Sequence, residues 1–142
     1  MLGNYLKNAL KELDELIRLT EEDIEDIKAA RHESVFARND AKERHVATFE
    51  SEKRRIDETI AHMAANQPEK GLEEILNEDV KASLSKLRER LERLKEVNRR
   101  FAKLVVAVGG FYNSLYEAML PVEKEGYGDN KRKVPSLMEV RV

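Results

Sequence analysis

The 142-residue chain has no cysteine and no tryptophan, only 3 prolines and 6 glycines, and 6% aromatic residues. Without cysteine there is no disulfide framework, no thiolate metal site and no thiol catalysis. So little glycine and proline does not supply the turns of a β-sandwich. Neither sign of charge dominates. Twenty-six basic residues face 28 acidic ones, for a net charge of −2, so bulk electrostatics points to neither nucleic acid nor an anionic membrane as partner. Long apolar runs are also missing. The longest uncharged run, residues 104–116, has 13 residues, where a spanning helix needs about 20. The first residues, Met1-Leu2-Gly3-Asn4-Tyr5-Leu6-Lys7, lack a basic stretch leading into an apolar one, so no signal peptide is expected. The chain reads as soluble and cytoplasmic, without membrane insertion.

What is present is charge, at 38% of residues, together with abundant Ala, Glu, Lys, Leu and Arg, a composition of long helices. The first segment places Leu2, Leu6, Ala9, Leu13, Leu16, Thr20, Ile24 and Ile27 in steps of four and three, a helical seam with one stutter. This seam loses its large apolar side chains at residues 31–33, and Ser34 is placed to cap a second helix. A single uninterrupted helix competes, because neither Gly nor Pro marks a break. The second seam runs Val35, Asn39, Lys42, Val46, Phe49, Lys53, Ile56, Ile60, Met63. Its lysines are expected to snorkel or to border a shallow interface. Asn66-Gln67-Pro68 ends it, and residues 72–76 suit one short turn of helix. Asn77 is a good N-cap for the third and longest segment, whose seam runs in heptads from Val80 through Asn98 to Met119 and stops at Pro121. Asn98, the lone polar seam position, has the character of a register device. These patterns predict an all-α antiparallel bundle of three long helices (about 2–32, 34–65 and 78–120) with coiled-coil-like seams, forming one unit over 1–121. Residues 122–142 lack helical period and read as a mobile C-terminal tail.

No motif carries catalysis. His32, His45 and His62 lack the Glu-x-x-His and His-Glu-x-x-His spacings of helical metal sites. Glu58 and His62, four apart, suit a solvated pair. Gly126-Tyr127-Gly128-Asp129 follows no strand and opens no helix, so it is not a phosphate loop. The expectation is a protein that is not an enzyme and holds no metal or cofactor.

The third helix is uneven. Residues 81–100 carry eight basic and three acidic side chains, and the acidic stretch Glu12–Asp26 of the first helix is placed to complement them across the bundle. Residues 101–120 hold only Lys103 and Glu117 as charges, and 14 of the 20 are apolar. A helix apolar on every face must be covered on every side, and two polar neighbours do not suffice. A partner-binding surface is therefore expected here, with Phe101, Leu104, Val105, Val108, Phe111, Tyr112, Leu115, Tyr116 and Met119 as anchors suited to helix-in-groove binding. Gly109-Gly110 within it permits a kink or the close approach of another backbone. One competing reading is that 101–120 is simply the core of the bundle; another is a coiled-coil scaffold or adaptor dimerising through 101–120.

Residues 26–36 after a long amphipathic helix, Lys42 ahead of an apolar seam, and residues 98–121 followed by Glu125-Gly126-Tyr127-Gly128 resemble flagellar export chaperones of the FlgN type, in the form seen in Campylobacter- and Helicobacter-like bacteria. The resemblance covers nearly the whole chain. Its most specific element is the Tyr-Gly that follows an apolar helix and a proline. It implies a cytoplasmic type III export chaperone that is monomeric when free. Such a chaperone binds the terminal helices of the hook–filament junction proteins FlgK and FlgL, prevents their aggregation, and delivers them to the export gate protein FlhA. It also implies a gate-docking role for Tyr127 with Gly128. Position 131 is Lys131 where the family pattern often has a second glycine.

Overall fold

The computed structural model describes residues 1–119, except the side chains of Tyr112, Tyr116 and Met119. The elements are α1 (Leu2–Lys28), α2 (His32–Asn66), the single turn α3 (Leu72–Ile75) and α4 (Glu78–Met119). There is no strand among the described residues.

Cross-helix pairs fix the directions. Glu12 meets His45 and Asp23 meets Arg38, so α1 and α2 are antiparallel. Asp14 meets Arg90 and Glu21 meets Arg93, so α1 and α4 run the same way. The bundle goes up, down and up, and α1 is its central member. It packs along both α2 and α4, while the backbones of those two stay farther apart. Packing on two sides explains why α1 buries more than one seam. Leu13, Leu16, Leu19, Thr20, Asp23, Ile24, Asp26 and Ile27 are all inside. Opposite them lie Val35, Phe49 and Ile56 of α2, and Leu87, Leu94, Val97, Phe101 and Val105 of α4. Val97 lies off the heptad seam yet is fully buried, because α4 also turns that flank toward the core.

The first turn is sharper than the sequence suggests. α1 stops at Lys28, before the expected 31–33, and α2 starts at His32, so Ser34 lies inside α2 rather than capping it. The two helices are separate. Ala30 takes a positive φ of 60°. The Arg31 N–H donates to the Asp26 carbonyl at 2.7 Å, and the Ala30 N–H to that of Ile27 at 3.1 Å. This is a Schellman stop with alanine where glycine is usual. Side chains close the hairpin in place of a helix breaker: Asp26 binds Arg31 at 2.9 Å and also binds Arg38. The other boundary follows its sequence signal. Asn77 Oδ1 accepts the Val80 N–H at 2.8 Å, capping α4.

Lys42 corrects an expectation. It does not snorkel but is 2% exposed, where three helices meet. Its ammonium donates to Asp23 Oδ2 at 2.7 Å and sits 4.8 Å from the centre of the Phe101 ring. Lys53, by contrast, is exposed and pairs with Asp57.

Candidate functional site

α4 has 42 residues, against 27 in α1 and 35 in α2. Its register against them decides what its last turns can do. Ile27, Ala30 and His32, at the α1–α2 turn, line one cleft with Ala107, Val108 and Phe111. The turn therefore lies level with Val108. The 11 positions from Val108 to Met119 rise about 16 Å further, beyond the level of the α1–α2 turn.

Burial follows that geometry and divides the sequence-derived anchors. Phe101 and Val105 belong to the bundle core, and Leu104 and Val108 pack half-buried against it. Beyond them Phe111 is 62% exposed and Leu115 is 42% exposed. Val106, outside the expected set, is 54% exposed. The side chains of Tyr112, Tyr116 and Met119 lie outside the described residues, as do Tyr127, Gly128 and the whole segment 120–142. Large apolar side chains left in water mark a partner surface. At the base of this one is a cleft of about 250 Å³ between the α1–α2 turn and α4. The helix runs through Gly109-Gly110 unbroken, and nothing lies within 4 Å of where a Cβ on Gly110 would stand.

Beneath the surface is a charged cluster that the sequence did not disclose. Asp23 accepts from both Lys42 and Arg38, each at 2.7 Å, and Arg38 bridges on to Asp26. Hydrogen bonding to Arg38, then to Arg31, holds the Asp26 carboxyl below the usual aspartate range against the opposing effect of desolvation. Burial pushes the Lys42 ammonium down, and Asp23 partly offsets this. The cluster ties α1 to α2. Lys42 also reaches the Phe101 ring, so α1, α2 and α4 meet at the cluster. Cationic side chains of α4 reach the acidic stretch of α1 as the charge pattern indicates, Arg90 to Asp14 at 2.8 Å and Arg93 to Glu21 at 2.7 Å. Glu12, Asp23 and Asp26 turn instead to α2. The signal for it in the sequence is Lys42 itself, a charge at a position where periodicity demands an apolar side chain.

Among the described residues no three His, Asp or Glu side chains gather as a metal site. His45 Nδ1 lies 2.5 Å from Glu12 Oε2, a link between α1 and α2. His62 accepts from Asn66 at 3.2 Å rather than pairing with Glu58. No described helix is long and apolar enough to cross a membrane.

A family model described as FlgN protein matches residues 1–135. The chain belongs to the FlgN family. FlgN proteins are flagellar export chaperones that bind flagellar hook-associated proteins, and exposed apolar side chains such as Phe111 and Leu115 suit that task. No curated protein and no solved structure matches the chain. The FlgN match takes in both the bundle and most of the residues after α4.

Proposed function

We propose that this FlgN protein is a cytoplasmic chaperone, monomeric when free, that holds the aggregation-prone terminal helices of FlgK and FlgL against the overhanging end of α4. The observation that carries the reading is that α4 runs on past the level of the α1–α2 turn, with Phe111 and Leu115 exposed on one face beyond it. An amphipathic partner helix laid along these residues buries its apolar stripe and theirs together. Leu104 and Val108 form the base of the surface, and Tyr112, Tyr116 and Met119 continue the expected set along the same helix. Phe101 and Val105 support it from within the core. Delivery is proposed to run through FlhA, with Tyr127 and Gly128 as the docking element; the FlgN resemblance of the Tyr-Gly pair supports this.

The test is copurification of FlgK and FlgL with the chain carrying Phe111→Asp and Leu115→Asp, two exposed positions whose replacement leaves the core intact. Both partners are expected to be lost while the helical circular dichroism persists. Retention of both by the well-folded variant overturns the reading. Tyr127→Ala is expected to weaken FlhA capture and leave FlgK binding unchanged. The same exposed residues suit a second copy of the chain, the scaffold alternative. A stable dimer in light scattering at micromolar concentration, broken by Phe111→Asp with Leu115→Asp, favours that alternative.

A further inference from the structure

The side of the bundle away from α1 carries a second surface, distinct from the overhang. α2 and α4 each pack closely on α1 but not backbone to backbone on each other. Lys42 over the Phe101 ring bridges them near one end. Farther along, a cleft of about 500 Å³ opens between Phe49 and Ile56 of α2 and Leu84, Leu87 and Leu91 of α4. A second cleft of about 470 Å³ shares Leu84 and Arg88 with it and continues to Leu72 and Leu76 beside α3. The two make one trough alongside residues 81–95 of α4, about 20 Å long at the helical rise. Its leucines are spaced three and four apart, the spacing that receives the knobs of another helix. Leu72, at its mouth, is 51% exposed.

The charges along the trough choose an occupant. Lys53 is satisfied by Asp57 at 3.1 Å and Lys81 by Glu73 at 3.2 Å. Arg90 and Arg93, on another flank of α4, are committed to α1. Arg88 and Lys95 line the trough without a carboxylate partner among the described residues, and Glu92 stands between them. They are seven residues apart, one heptad, as are flanking charges that pair across a coiled coil.

We infer that this trough docks one amphipathic helix of a partner protein, about four turns long, with a leucine-type seam and acidic side chains a heptad apart facing Arg88 and Lys95. The helix completes a four-helix arrangement around the α2–α4 gap. The chain's own residues 120–142 match poorly, with five basic against four acidic side chains. A second copy matches no better, because the seam of its acidic α1 is already buried.

The absence of cysteine makes the test clean. Ser85, which lines the trough, is replaced (Ser85→Cys) and labelled with an environment-sensitive fluorophore on the full chain. The probes are two synthetic helices of about 15 residues, identical in their leucine seam but flanked by glutamate or by lysine. The glutamate peptide is expected to give a saturable blue shift and the lysine peptide none. Arg88→Glu with Lys95→Glu is expected to weaken the glutamate peptide roughly tenfold and to admit the lysine peptide. Phe111→Asp with Leu115→Asp is expected to leave both responses unchanged, separating this trough from the overhang. Equal responses to the two peptides, indifference to the charge reversal in a variant of unchanged circular dichroism, or loss of the response in the Phe111 and Leu115 variant each overturn the inference.

Discussion

Ala30 sits in the left-handed region, where an L-residue with a Cβ is held at a penalty of about 1–2 kcal/mol. Glycine removes that penalty but has more freedom to lose from the unfolded chain. Ala30→Gly is therefore expected to stabilise the protein by about 0.5–1 kcal/mol, with a rise of about 2–4 °C in thermal midpoint by circular dichroism. Seam loss placed the break at 31–33 rather than at 29–31, because the residues of the turn are Ala, Ala and Arg and no propensity marks them. Lys42 poses the opposite problem, since it is visible in the sequence but its fate is not. Only the approach of Asp23 and Phe101 makes burial tolerable. Lys42→Met takes away one partner of a buried pair and is expected to lower stability by about 3 kcal/mol in urea titration. Asp26 makes stability depend on acidity. Its carboxyl is held below the ordinary value of 3.8 in the folded chain, so the folded state binds fewer protons than the unfolded one near that pH. The stabilisation is complete above about pH 4 and fades as the pH falls through the lowered value. Arg38→Gln is expected to flatten the fall of the urea midpoint between pH 4 and pH 2. An unchanged slope rules out Arg38 as its source.

At the level of elements, periodicity revealed the three long helices because each carries an apolar stripe at helical spacing, interrupted only at single positions such as Thr20, Asn39, Lys42, Lys53 and Asn98. The short turn at residues 72–75 and the Asn77 cap were legible too, the cap because a side-chain oxygen at a helix start has one dominant use. What periodicity does not reveal is which neighbour a stripe meets. The seam of α1 looks like that of α2, yet α1 serves two partners and α2 and α4 chiefly one. The leucines of the α2–α4 trough accordingly look in the sequence like any other stretch of heptad seam. In α4 the glycine pair is a local weakness. Gly110→Ala meets no neighbour and adds about 1 kcal/mol of helix stability. Slower amide exchange is expected around residues 106–114, with the bundle unaffected. An unchanged rate there indicates that the last turns are held by something other than their own helical hydrogen bonds.

For the whole molecule, the candidate site is a consequence of unequal length. Composition located an apolar stretch at 101–120, but no sequence rule says where α4 crosses the hairpin, and hence which of those residues fall inside. Phe101 and Val105 are core and Phe111 and Leu115 are surface because the α1–α2 turn comes level with Val108. Lengthening the hairpin by two helical turns on each side of the Ala30 turn is therefore expected to cover Phe111 and Leu115, and to abolish FlgK copurification without changing either residue. Continued copurification by such a folded variant argues that the anchors lie elsewhere.

The central position of α1 also has a kinetic meaning. Its link to α2 spans only residues 29–31, a closure with a small loop entropy, while its contacts with α4 bridge more than 70 residues of chain, as from Asp14 to Arg90. The hairpin is thus expected to form first, and α4 to dock onto a surface already assembled. In the finished protein the order is reversed for opening: amides of α1 should exchange only with global unfolding, and those past Val108 by fraying that leaves the rest closed. Capturing a partner there is then expected to slow that fraying, stiffening the last described turns of α4.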